Sequence, residues 1–66
     1  MKNCVILEKR SEGRIEKIQF FDDFFSHYTE ENGLTNLRSS TYERANTTKL
    51  DCIEAYRLEG FREVQI

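Results

Sequence analysis

The sequence predicts a small α+β domain: a two-layer sandwich in the order β-β-α-β-α-β, with both helices on one face of a mostly antiparallel sheet. Three observations predict it. Residues 4–20 have the form of a hairpin, residues 20–33 carry an aromatic stripe at helical spacing, and residues 46–60 have a capped run of good helix formers.

Cys4-Val5-Ile6-Leu7 is a short apolar run rich in β-branched residues, which suits a strand buried on both faces in the middle of a sheet. Ser11-Glu12-Gly13-Arg14 supplies a hairpin loop. Ile15, Lys17 and Gln19 then alternate with Glu16, Ile18 and Phe20. Ile15 falls on the face opposite Ile18 and Phe20, so a bulge or twist is expected near Ile15.

The stretch FFDDFFSHYTEENG, residues 20–33, holds five of the eight aromatic side chains. Phe21, Phe24, Phe25 and Tyr28 stand at i, i+3, i+4 and i+7, which places them on one side of a helix. Asp22, Asp23, Ser26 and Glu30 fall opposite. Asp22 and Asp23 suit a first helical turn, and Asn32-Gly33 suits a left-handed stop.

Leu37, Ser39, Thr41 and Glu43 alternate with Arg38, Ser40, Tyr42 and Arg44, so a third strand is expected at about 36–43, polar on both faces and at a sheet edge. If that stretch were irregular, the order would be ββα(loop)αβ. Asn46-Thr47-Thr48 is an N-cap signal for a second helix ending at Gly60. Leu50, Ile53 and Tyr56, beside Cys52 and Ala55, form its apolar arc, while Asp51, Glu54 and Leu58 project from the other side. Phe61, Val64 and Ile66 mark a last strand.

Sixty-six residues make one domain, 1–66, near the lower size limit for folding without disulfides or metals. Cys4 and Cys52 are expected as free thiols in apolar surroundings. Only four apolar residues follow Met1-Lys2-Asn3, too few for a signal peptide or membrane span, so the expected compartment is cytoplasmic. The net charge of −2 is uneven. Residues 1–19 are net basic, 20–36 carry only Asp22, Asp23, Glu30 and Glu31, and the remainder is balanced. This distribution disfavours a general nucleic-acid binder.

Catalytic signals are weak. Gly13, Gly33 and Gly60 are isolated and form no phosphate loop, and Asp22 and Asp23 diverge by about 100° on a helix instead of converging. His27 on the polar side of its helix is badly placed to activate Cys4 or Cys52. Asp23, His27, Glu30 and Glu31 have a spacing that reaches a divalent ion, but the set lacks further ligands and reads as a solvated face. No enzyme activity, metal or cofactor is expected.

Two binding functions remain. The preferred one is a non-enzymatic protein-binding module, an inhibitor or accessory protein of phage type. It would meet a basic patch on its partner through Asp22, Asp23, Glu30 and Glu31, or use an edge strand. The alternative is nucleic-acid binding through Lys9, Arg10, Arg14 and Lys17 at the hairpin tip, helped by Arg38, Tyr42 and Arg44. A homodimer pairing its edges is as strong an expectation as a monomer, with Phe20 or Leu58 at the interface.

Overall fold

The computed structural model describes residues 4–64. Four strands follow one another as a meander: β1 (Val5–Ser11), β2 (Arg14–Phe20), β3 (Phe24–Glu31) and β4 (Leu34–Thr41). One helix, α1 (Lys49–Leu58), and a two-residue strand, β5 (Arg62–Glu63), complete the chain. The sheet order is β4-β3-β2-β1-β5 and every pairing is antiparallel.

The two-helix sandwich expected from the sequence is therefore wrong. Residues 20–33 are the end of β2, a loop, the whole of β3 and a turn. Asn32 and Gly33, with φ of 53° and 80°, form the two-residue turn between β3 and β4, not a helix stop. Left-handed backbone at both central positions is what a type I′ hairpin turn demands, and Asn-Gly supplies it at little cost. At the other end, Phe21 N–H donates to the Phe24 carbonyl at 2.9 Å, closing the Asp22-Asp23 loop.

The aromatic spacing of 3 and 4 that imitates a helix arises from three unrelated environments. Phe25 is in the core, whereas Phe21 and Phe24 stack on each other at the loop with centroids 4.6 Å apart. Tyr28 lies on the opposite sheet face from Phe25, three positions along the strand.

The first hairpin does form, and β1 runs four residues further than the apolar run. Its register with β2 is unbroken from Val5↔Phe20 to Ser11↔Arg14, so no bulge occurs at Ile15. The edge strand expected at 36–43 is β4, shifted two residues towards the N-terminus. Of the strand expected to run to the terminus, Arg62–Glu63 is paired to β1; Gln65 and Ile66 lie outside the described residues.

Cross-strand pairing sorts the side chains into two faces. Val5 and Leu7 of β1, Ile18 and Phe20 of β2, and Phe25 and His27 of β3 share the face towards α1. The core consists of Leu7, Ile18, Phe20, Phe25, Tyr42, Cys52 and Phe61, with Val5, Ile53 and Tyr56 packed against it. Phe20 is completely buried, so it is not available as a dimer contact. Its ring lies 6.0 Å from Phe25 and 6.2 Å from Tyr56. Leu50, expected on the apolar arc of the helix, is instead 78% exposed and joins Leu58 on the outside.

Helix α1 starts as its sequence dictates. Thr48 is the N-cap, its hydroxyl accepting from the Asp51 amide at 3.2 Å. Gly60, at φ 103°, reverses the chain so that Phe61 enters the core beneath Tyr56, with centroids 5.3 Å apart. Replacing the cap, Thr48→Ala, is expected to lower stability by about 1 kcal/mol in urea denaturation. An unchanged midpoint would show that this cap contributes nothing.

Tyr42 joins the β4–α1 connection to the other end of the sheet. Its ring stacks on Phe25 at 5.3 Å and its hydroxyl donates to the Phe21 carbonyl at 2.6 Å. Burial pushes the phenol up to about 12, with Cys52 and Asp22 adding to the shift. A phenol whose folded value lies above its unfolded value of about 10 holds its proton longer in the folded state. Stability is therefore expected to fall as pH rises from 10 towards 12, and Tyr42→Phe should lessen that slope in alkaline denaturation.

Candidate protein-interaction edge

The sheet has one long edge, and β4 forms it. Because the Asn32-Gly33 loop has two residues, its closing pair Glu31↔Leu34 exchanges both backbone bonds. The alternation then fixes the rest. Leu34, Asn36, Arg38 and Ser40 aim their backbone groups at β3, whereas Thr35, Leu37 and Ser39 aim theirs outward. Thr41 belongs to the outward set too, but its carbonyl is taken by the Ala45 N–H at 3.1 Å.

Side chains alternate in the same way. Thr35, Leu37 and Ser39 lie on the helix-free face, with Leu37 opposite Tyr28; Leu34, Asn36 and Arg38 lie on the helix side. Leu34 is 77% and Leu37 65% exposed. Arg38 is the strand's sole charge. Edges of native sheets are commonly blunted by charges, proline, bulges or a covering element. This edge has eight residues in unbroken register with β3 and only one charged side chain.

The opposite edge is different. β5 covers β1 at Leu7 and Glu8, and Val64 N–H adds a bond to the Ile6 carbonyl at 2.8 Å.

The four acidic residues that were expected on one helix face are distributed over the sheet. Asp22 and Asp23 sit in the β2–β3 loop, while Glu30 and Glu31 end β3. The six residue steps from Phe24 to Glu30 span roughly 20 Å. Asp22 pairs with Lys49 at 3.2 Å, Glu30 accepts from the Tyr28 hydroxyl at 3.1 Å, and Glu31 pairs with Arg14 at 3.6 Å. Glu30 and Glu31, adjacent along the strand, point to opposite faces.

The basic residues of the hairpin are divided as well. Lys9 and Arg14 are on the helix side, Arg10 and Lys17 on the other. Arg10 pairs with Glu8; Arg14 lies 3.5 Å from Glu16; the Lys9 ammonium sits 5.7 Å above the Phe61 ring. Tyr42, expected as a base-stacking partner, is 7% exposed and occupied by its core contacts.

His27 leaves the helix it was assigned to and joins the inward face of β3. Its Nε2 lies 3.2 Å from Glu16 Oε1 and its ring meets Tyr56 edge-on at 6.2 Å. Among the described residues no three His, Cys, Asp or Glu side chains cluster closely enough to hold a metal ion. Cys52 is buried and its thiol is pushed up by that burial, whereas Cys4 is half-buried; both are free.

No protein-family model, curated protein or solved structure matches this chain. Among the described residues no helix is long and apolar enough to cross a membrane.

The residues that sequence reasoning missed are Thr35, Leu37 and Ser39. Asn32-Gly33 flanked by alternating side chains was the signal that would have found them, because a two-residue turn fixes which backbone groups face outward.

Proposed function

We propose that this protein is a non-enzymatic protein-binding module, an inhibitor or accessory protein, that captures an extended segment of another protein along β4. The supporting observation is the outer edge itself: Thr35, Leu37 and Ser39 carry outward backbone donors and acceptors, and the side chains of Leu34 and Leu37 are exposed along it. Strand addition uses such an edge directly. Main-chain bonds supply affinity, and side chains alternating between two faces supply selectivity.

The four carboxylates then act separately, not as one acidic surface, since they stand at two ends and on two faces of the sheet. The hairpin lysines and arginines, split between faces and interleaved with Glu8 and Glu16, offer no continuous track for a phosphate backbone.

The test is capture of partners from nuclease-treated lysate, followed by amide hydrogen exchange on the purified complex. The expected result is new protection at Thr35, Leu37 and Ser39. Protection confined to α1 or to the β1–β2 hairpin would overturn strand addition at β4.

A further inference from the structure

On the helix side of the sheet lies a hollow of about 220 Å³ lined by Arg14, His27, Thr29, Asn36 and Arg38. Each of these five side chains has hydrogen-bond donors, and no carboxylate lines the hollow. Two carboxylates beside it are engaged by its own walls: Glu16 by His27 at 3.2 Å and Arg14 at 3.5 Å, and Glu31 by Arg14 at 3.6 Å. Arg38, in contrast, has no carboxylate within salt-bridge distance among the described residues. With a donor on every wall, no carboxylate among them and the Arg38 charge unmatched, the hollow suits an oxyanion.

Two of its walls, Asn36 and Arg38, belong to the edge strand. Their backbone groups point inward, so when an antiparallel strand extends the sheet past β4 they occupy the non-hydrogen-bonded positions. Those are the positions where facing side chains approach most closely, with Cα atoms about 4.5 Å apart. A ligand residue opposite Arg38 on the helix side is thereby brought to the mouth of the hollow.

We infer that this hollow is the selectivity site of the β4 edge and takes the carboxylate of an acidic side chain on the added strand. The inference rests on the strand-addition reading and specifies its partner: an extended segment with Asp or Glu facing Arg38. Such a residue directly follows or precedes one on the opposite face, beside Leu37, where an apolar side chain fits.

The experiment is a ¹⁵N-detected titration of the intact protein with synthetic decapeptides of alternating Thr and Val, carrying Glu, Gln or Lys at one scanned position. The Glu peptide is expected to bind about tenfold more tightly than its Gln counterpart, the ratio of one charge-assisted bond to a neutral one. Arg38→Glu should reverse that preference in favour of Lys, and Leu37→Pro should remove binding of every peptide. Equal affinity for Glu and Gln peptides, still lost in Leu37→Pro, would overturn the hollow and leave strand addition standing. Absence of binding by any peptide would overturn both. Inorganic phosphate supplies a separate arm: if it shifts His27 and Arg38 equally in the wild type and in Leu37→Pro, the hollow is a free-anion site. Sedimentation supplies another. A wild-type dimer that Leu37→Pro dissociates makes a second copy of the chain the occupant and refutes the acidic segment.

Discussion

Phe20→Ala is expected to remove most of the stability of this domain. Truncating a fully buried phenylalanine costs about 3–5 kcal/mol, because the lost transfer energy is increased by the cavity left behind. A chain of this size has roughly 3–10 kcal/mol in total. Phe20 has no exposed surface and lies between Phe25 and Tyr56, one from the sheet and one from the helix, so neither side alone can collapse into the space. Urea denaturation should show the midpoint falling towards zero denaturant.

The informative comparison is Phe24→Ala. A helix over residues 20–33 puts Phe24 in the core beside Phe21, Phe25 and Tyr28, whereas in the sheet Phe24 is 37% exposed and touches Phe21 at the loop. Phe24→Ala should therefore cost much less, about 1 kcal/mol. Equal losses from the two substitutions would contradict the assignment of Phe20 to the core and Phe24 to the loop.

Leu37→Pro is expected to abolish partner binding, by at least tenfold, while the domain stays folded. Proline lacks the N–H that Leu37 presents outward, and its ring blocks the approach of an added strand. On an edge strand the substitution removes no ladder bond, because the outward N–H has no partner within the sheet. The preceding residue, Asn36, already has the extended backbone that proline imposes on its neighbour. Asn36→Pro is the control. Asn36 faces Thr29 in an inward hydrogen-bonded pair, so proline there deletes a bond that the hairpin uses and should lower thermal stability much more. Partner binding that survived Leu37→Pro at wild-type affinity would end the edge-strand proposal. If Leu37→Pro and Asn36→Pro destabilised the fold alike, the inward and outward assignment along β4 would be wrong.

What could be read from the sequence depended on whether local signals had one meaning. Glu12-Gly13 between alternating stretches admits only a turn, and the hairpin formed as expected. Asn46-Thr47-Thr48 before a run of helix formers signals a cap, and α1 starts with Thr48 as that cap. The aromatic stretch had two meanings. Its residues satisfy the helical period, and its ends imitate a helix start and stop, yet Phe, Tyr, His and Thr at this density also suit a pleated strand. Asp22-Asp23 serves as a loop and Asn32-Gly33 as a type I′ turn equally well. Tertiary context decided between them. A helix at 20–33 leaves β2 and β4 without their common neighbour, whereas β3 pairs with both along its whole length. The binding-site expectation was lost with the helix, since Asp22, Asp23, Glu30 and Glu31 share a surface only on helical geometry. The edge was legible in outline from the polar 36–43 stretch; its outward residues were not, because they depend on the turn.

The strand order has a kinetic consequence. From β1 to β4 each strand pairs with the next in sequence, and among the strand pairings only the clasp of β5 on β1 joins distant parts of the chain. Hairpins of this kind close within about 1–10 μs, so the meander can assemble progressively from either end. Its apolar side cannot be shielded so early. Leu7, Ile18, Phe20 and Phe25 are all present by residue 25, but Tyr42, Cys52 and Phe61, which complete the core, come later in the chain. On the ribosome the growing sheet must therefore wait, at about 5–20 residues per second, for its cover to emerge. During those seconds its sticky surface and its open edge are exposed together, which makes synthesis the interval of greatest aggregation risk for this protein.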